Sequence, residues 1–175
     1  MFTNKWALIL GGSSGMGLAS AKKLAAEGMN IFIAHRDRKG AMAAINAQFD
    51  EIRATGVQFV SLNTDALSAE GQQEIINQLK QTLGATGKVK LLFHSIAFGN
   101  LRLLAIPPNL SDEEIDANDL YQKEPLTHED FNQTIYSMAS SIVTWAQLLL
   151  SNQLFDTQAR VLGMTSEGGT RAWLG

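Results

Sequence analysis

Short apolar runs alternate with longer amphipathic stretches along the chain, the pattern of strand and helix units built around a parallel sheet. Lys5–Leu10 reads as a buried strand, and Leu18, Ala21 and Ala25 then mark a helical stripe that stops near Gly28. Asn30–Ala34 predicts a second strand, followed by Met42, Ile45, Phe49 and Ile52 at helical spacing, which gives a helix with one buried face. Val57–Leu62 predicts a third strand. Ser68 is placed to cap a third helix whose stripe is Ile75, Leu79 and Leu83. A fourth strand spans Val89–His94.

The rhythm breaks after Gly99, where roughly thirty residues pass before the next strong helical stripe, well beyond the usual connection in a compact domain. Ser111 and Glu114 have capping-box spacing, so a short helix is expected to cross part of the gap. The acidic run Asp112, Glu113, Glu114 and Asp116 reads as a solvated face rather than a metal site. Phe131, Ile135, Met138, Ile142, Trp145 and Leu149 then define one long helix entered through Thr127, and Arg160–Met164 predicts a fifth strand. The expected fold is α/β, a doubly wound parallel sheet of Rossmann type, truncated after the fifth strand. A single domain over residues 1–175 would carry it, with a long loop at about 99–127. In such a sheet ligands bind at the carboxyl ends of the strands where strand order reverses, so the loops after strands one, four and five should converge.

Composition narrows the partners. Of 175 residues, 45% are hydrophobic and 18% charged, which is a globular balance. Fourteen Lys and Arg against seventeen Asp and Glu leave a net charge of −3, with no basic excess for a nucleic-acid backbone. There is no Cys, which removes disulfides and thiol nucleophiles and fits a reducing compartment. His35, His94 and His128 have no metal-ligand spacing, so no metal is expected. The apolar run Trp6–Leu10 is too short for a signal or a membrane span, and the protein reads as cytoplasmic.

The chemistry concentrates at strand ends. Gly11-Gly12-Ser13-Ser14-Gly15-Met16-Gly17 lies between the first strand and the first helix. Its spacing differs from G-x-G-x-x-G but meets the same needs: a tight turn, close backbone approach to a pyrophosphate, and close packing of helix on strand. Free amides at a helix start suit a diphosphate, although a glycine cluster alone also makes a plain turn. No Lys follows in P-loop spacing, which disfavours an NTPase. After the second strand comes Ala34-His35-Arg36-Asp37-Arg38. An acid there usually meets a ribose 2′-hydroxyl and an Arg a 2′-phosphate, so Arg36 favours NADP over NAD. Asp37 keeps NAD open, and Arg36 and Arg38 also read as ordinary surface charges.

The glycine spacing, Asp65-Ala66 after the third strand and the loop after the fourth resemble the short-chain dehydrogenase/reductase family. Within it, His94-Ser95-Ile96-Ala97-Phe98 is similar to the divergent enoyl-[acyl-carrier-protein] reductase branch, rather than to the Asn-Asn-Ala-Gly of ordinary members. Thr165-Ser166-Glu167-Gly168 and Arg171-Ala172 resemble that branch's segment before its catalytic Tyr. The resemblance runs over all 175 residues.

It implies that Gly11, Ser13, Ser14, Gly15, Met16 and Gly17 line the pyrophosphate and ribose, with Asp65 and Ala66 flanking the adenine. Ser95, Ile96 and Ala97 would pass beneath the nicotinamide ribose. Asp65 as a self-bonded turn residue, and Ile96 and Phe98 as core side chains, are the plain alternatives. The implied substrate is an acyl thioester, trans-2-enoyl-ACP or enoyl-CoA, with acyl carrier protein as a possible partner and a homotetramer as the assembly. Leu10 replaces the usual Thr before the first glycine, and Met138 stands where ordinary members carry a catalytic Asn. Its place on the apolar stripe makes Met138 a core residue. Ser166 falls where many enoyl reductases have an additional active-site Tyr, and it is the candidate catalytic hydroxyl, or else the cap of its own turn. The family's Tyr and Lys would come just after Gly175, so a longer parent chain is expected and the 175 residues alone should turn over negligibly. Leu101, Leu103, Leu104 and Ile106 read either as one wall of an acyl channel or as packing residues. A reductase of ketones or aldehydes and a non-catalytic nucleotide-binding module are the rival functions.

Overall fold

In a computed structural model, the residues described are 2, 4–100, 102–105 and 125–165. Five strands, β1 (Lys5–Leu10), β2 (Asn30–His35), β3 (Phe59–Asn63), β4 (Lys88–His94) and β5 (Phe155–Gly163), form one sheet in the order β3-β2-β1-β4-β5. All four pairings are parallel. The helices are α1 (Gly15–Ala26), α2 (Met42–Arg53), α3 (Ala69–Leu83), α4 (His128–Ile135) and α5 (Ser141–Ser151). This is the predicted doubly wound sheet, and the order reverses between β1 and β4.

The period of two in the strands builds both faces of the sheet. Trp6, Leu8, Leu10 and Phe32 enter one core with Ile75 and Leu79 of α3 and Trp145 and Leu149 of α5. Ala7, Ile9, Ile31 and Ile33 enter the other, with Ala21 and Ala25 of α1 and Ile45, Phe49 and Ile52 of α2. Burial on both faces explains why β1 and β2 read as unbroken apolar runs rather than alternating ones. Each such Leu, Ile or Phe contributes roughly 1.5–3 kcal/mol relative to exposure. Trp145 also satisfies its indole, donating from Nε1 to the Ala66 carbonyl at 2.9 Å.

Three sequence expectations shift. The fifth strand begins at Phe155 rather than Arg160, because a bulge interrupts it: Val89 and Leu91 of β4 face Phe155 and Arg160, and Gln158 adopts φ 58°. The third strand begins at Phe59 rather than Val57. The expected single helix after Thr127 is two helices separated by a π turn at Tyr136–Ser140. That turn admits an extra residue and so breaks a 3.6-residue stripe read across it. Met138 accordingly lies 46% exposed, and Phe131 and Ile135 are exposed as well, whereas Trp145 and Leu149 are buried. The core assignment of Met138 is thereby corrected.

The chain divides into two compact units. One holds the sheet and comprises the described residues up to Ile96 together with Ile142–Met164; the other contains those between Ala97 and Ser141. The second unit is organised by a capping box. Thr127 Oγ1 accepts from the Asp130 amide at 3.1 Å, and Asp130 Oδ2 accepts from the Thr127 amide at 3.0 Å. Asn100 and Arg102 add further donors to the same carboxylate. Together these donors hold the Asp130 carboxyl below the usual carboxylate range, with the Thr127 amide contributing most. Leu103 is buried at 7% exposure, while Leu104 stands 85% exposed. Leu101, Ile106, Ser111, Glu114 and the acidic run lie outside the described residues. Among the described residues no helix is long and apolar enough to cross a membrane.

Candidate functional site

At the switch point the backbone is packed without room for side chains. Leu10 ends β1, and its carbonyl accepts the Ser95 amide at 2.8 Å, which ties the loop after β4 to the end of β1. Gly11 donates its amide to the Ala34 carbonyl at 2.8 Å and turns through φ 82°, a left-handed conformation natural to glycine. A Cβ there would lie 2.5 Å from the Ser95 carbonyl oxygen. A Cβ on Gly17 would collide with the Gly11 carbonyl, so this glycine lets α1 sit directly on the turn. The two glycines thus perform packing roles at different places.

Gly15 does something else. Its φ of 52° is also left-handed, yet a Cβ on it would meet nothing within 4 Å. Ser14, Gly15 and Met16 are exposed around this open space, and Ser13 is half-buried. Ser14 caps α1 in an extended conformation and makes no side-chain cap bond, in contrast to Ser68 of α3, which accepts from the Gly71 amide. No acidic side chain stands in the first turn of α1. The start of α1 therefore presents amides without a side-chain acceptor to an open surface, with the positive end of the helix dipole behind them. This set of residues fits a diphosphate.

The loops after β2 and β3 join at one edge. Arg36 Nη1 meets Asp65 Oδ2 at 2.7 Å, so two residues that the sequence suggested separately form one ion pair. Asp65 Oδ1 accepts the Leu67 amide at 2.9 Å, which makes Asp65 a turn residue as well as a charge partner. Ala66 is buried beneath this edge. Buried His35 donates from Nδ1 to Asp37 Oδ2 at 2.8 Å and meets the Phe49 ring edge-on. Asn63 pins the same loop from both sides: its Oδ1 accepts the Asp37 amide at 2.9 Å and its Nδ2 donates to the Asp37 carbonyl at 3.0 Å. Sequence reasoning missed Asn63 and the His35–Asp37 bond. Their signal is the β2–β3 register, which sets His35 opposite Asn63.

Under the β4 end, Ser95 and Ile96 are half-buried, and Ile96 packs on the core of the α3 and α5 face. His94 is buried, and burial pushes its pKa below the usual imidazole value. Met164 extends the meeting of loops by donating its amide to the His94 carbonyl at 3.0 Å. Ala97 is exposed and begins the second unit. Ser166, the candidate catalytic hydroxyl, lies outside the described residues, as do Arg171 and Ala172.

The family model for short chain dehydrogenases matches residues 5–175. The chain belongs to the short-chain dehydrogenase family. A trans-2-enoyl-CoA reductase (NADH) of Clostridium perfringens is 34% identical over 103 residues, a match covering 53% of this chain and 25% of that protein. The short-chain dehydrogenase/reductase of Serratia marcescens superposes with a TM-score of 0.70 at 19% identity, over 98% of this chain and 59% of that one. An alcohol dehydrogenase of the archaeon Thermococcus sibiricus, solved with 5-hydroxy-NADP, superposes at 0.67 and 20% identity, over 97% and 61%. The chain thus spans a quarter of the curated relative that it matches and about three-fifths of these solved neighbours.

Proposed function

We propose that the protein acts as an NADPH-dependent reductase of enoyl thioesters, trans-2-enoyl-ACP or enoyl-CoA, in fatty-acid metabolism. The observation that carries the dinucleotide part is the open, uncapped start of α1 above Gly15, flanked by the close-packed Gly11 and Gly17. The amides around Ser13–Gly17 would hold the pyrophosphate, and Ser95, Ile96 and Ala97 would run beneath the nicotinamide ribose. Arg36, an exposed guanidinium after β2, would meet a 2′-phosphate, and Asp65 and Ala66 would flank the adenine.

The thioester part is supported by His94-Ser95-Ile96-Ala97-Phe98 and by Met138 where ordinary members place an Asn. The named activity of the curated relative agrees with it. A nicotinamide dinucleotide held there would supply the hydride, and the chain's part would be to place a donor at the thioester oxygen, where negative charge would develop. Ser166 is the hydroxyl that the resemblance places near such a site, and it would be the candidate donor. Acyl carrier protein, a homo-oligomer and a cytoplasmic location belong to the same proposal.

The test is coenzyme oxidation by the full-length protein with crotonyl thioester, and with a ketone and an aldehyde in parallel. Turnover of the thioester alone supports the reading. Turnover of only the carbonyl compounds favours the ordinary reductase, and coenzyme binding without turnover favours a binding module. NADH is the second reading of the coenzyme, favoured by the carboxylate of Asp65 on Arg36 and by the coenzyme in the relative's name.

A further inference from the structure

We infer that Asp65 is a coenzyme-selecting residue, a fixed negative charge that opposes Arg36 in the choice between a ribose 2′-phosphate and a 2′-hydroxyl. The inference rests on the dinucleotide reading above and deepens it. The carboxylate of Asp65 is held at both oxygens: Oδ1 accepts the Leu67 amide at 2.9 Å and Oδ2 accepts Arg36 Nη1 at 2.7 Å. The turn after β3 therefore keeps the charge in place whether or not a ligand arrives.

Asp37, the other acid at this edge, is differently committed. Its Oδ2 accepts from buried His35, and Asn63 grips its backbone amide and carbonyl. Asp65 is thus a carboxylate in contact with the guanidinium that would read the ribose, and this pair is partly solvated, with side chains 52% and 33% exposed. A dianionic phosphate approaching Arg36 must share it with Asp65 and sit beside a like charge. A hydroxyl carries no such cost and leaves the ion pair intact. Arg36 pulls the choice toward NADPH, Asp65 pulls it toward NADH, and the discrimination of the native protein is the small difference between them.

The test is calorimetric titration of the full-length protein and its Asp65→Asn variant with NADPH and NADH. Removing the charge should raise the ratio of NADPH to NADH affinity about threefold to tenfold at low salt, and the gain should shrink as ionic strength rises. Asp65→Ser, which keeps an acceptor for the Leu67 amide, should give the same direction and serves if the Asn variant fails to fold. A ratio that stays constant or moves toward NADH in either variant, with both coenzymes still bound, overturns the role of Asp65 and leaves the dinucleotide reading standing. Failure of the native protein to bind either coenzyme overturns both.

Discussion

Gly15 and Gly28 bracket α1 and form a matched pair. Both adopt left-handed backbone, φ 52° and 84°, and at both a Cβ would meet nothing within 4 Å. Replacing either by Ala incurs the same kind of backbone penalty, roughly 1–2 kcal/mol, offset in part by a stiffer unfolded chain. The net cost is about 1 kcal/mol, or a melting temperature lower by about 2–4 °C for a chain of this size. Their surroundings differ. Gly28 follows the carboxyl end of α1, whereas Gly15 opens its uncapped amino end. On the proposed dinucleotide reading, a methyl group on residue 15 would stand where the phosphate approaches the amides, removing a charge-assisted hydrogen bond of roughly 1.5–3 kcal/mol. Gly15→Ala should therefore weaken NADPH binding roughly tenfold to a hundredfold, while Gly28→Ala leaves it unchanged. Thermal melts establish the matched stability, and calorimetric titration on the two folded variants reads the affinity. Equal affinities for the two variants would refute the phosphate role and reduce the glycine loop to a turn.

Further expectations concern the frame around the site. Trp145→Phe removes the donor to the Ala66 carbonyl and should destabilise the protein by about 1–3 kcal/mol in urea unfolding; no loss would mean that this buried bond is replaced by water. Thr127→Ala removes the hydroxyl that caps α4 and should cost about 1 kcal/mol in the same measurement, with Thr127→Ser close to native. Asp130 has a lowered pKa in the folded protein, so its stabilising contribution is complete above the ordinary carboxyl value and is lost as pH falls through the lowered one. Stability of Asp130→Asn should accordingly fall less steeply than native below about pH 4, and parallel curves would show that the capping box does not govern that titration.

Much of the fold was legible because burial on both faces leaves a plain mark. β1 and β2 are apolar at nearly every position, α2 and α3 carry full stripes, and Ser68 and Thr127 announce their helices by side-chain chemistry that acts locally. The glycine loop was legible for a similar reason, since left-handed backbone and close packing each demand a missing side chain. The π turn was not, because one extra residue per turn leaves no composition signal and a 3.6-residue stripe reads straight through it. The bulge in β5 was hidden in the same way, as Asp156–Ala159 is polar enough to pass for a loop.

Residue order alone determined which segments become strands and helices, and that a glycine turn opens the first helix, because periodicity and backbone sterics act over a few neighbouring positions. What the glycines and the charged edge do was decided only by the packed sheet. Parallel pairing across the switch point brings Ser95 against Gly11, and pairing of β2 with β3 brings Asn63 beside Asp37, with Arg36 meeting Asp65 at the same sheet edge. Those partners lie far apart in the chain, and charge and close approach operate on distance in space.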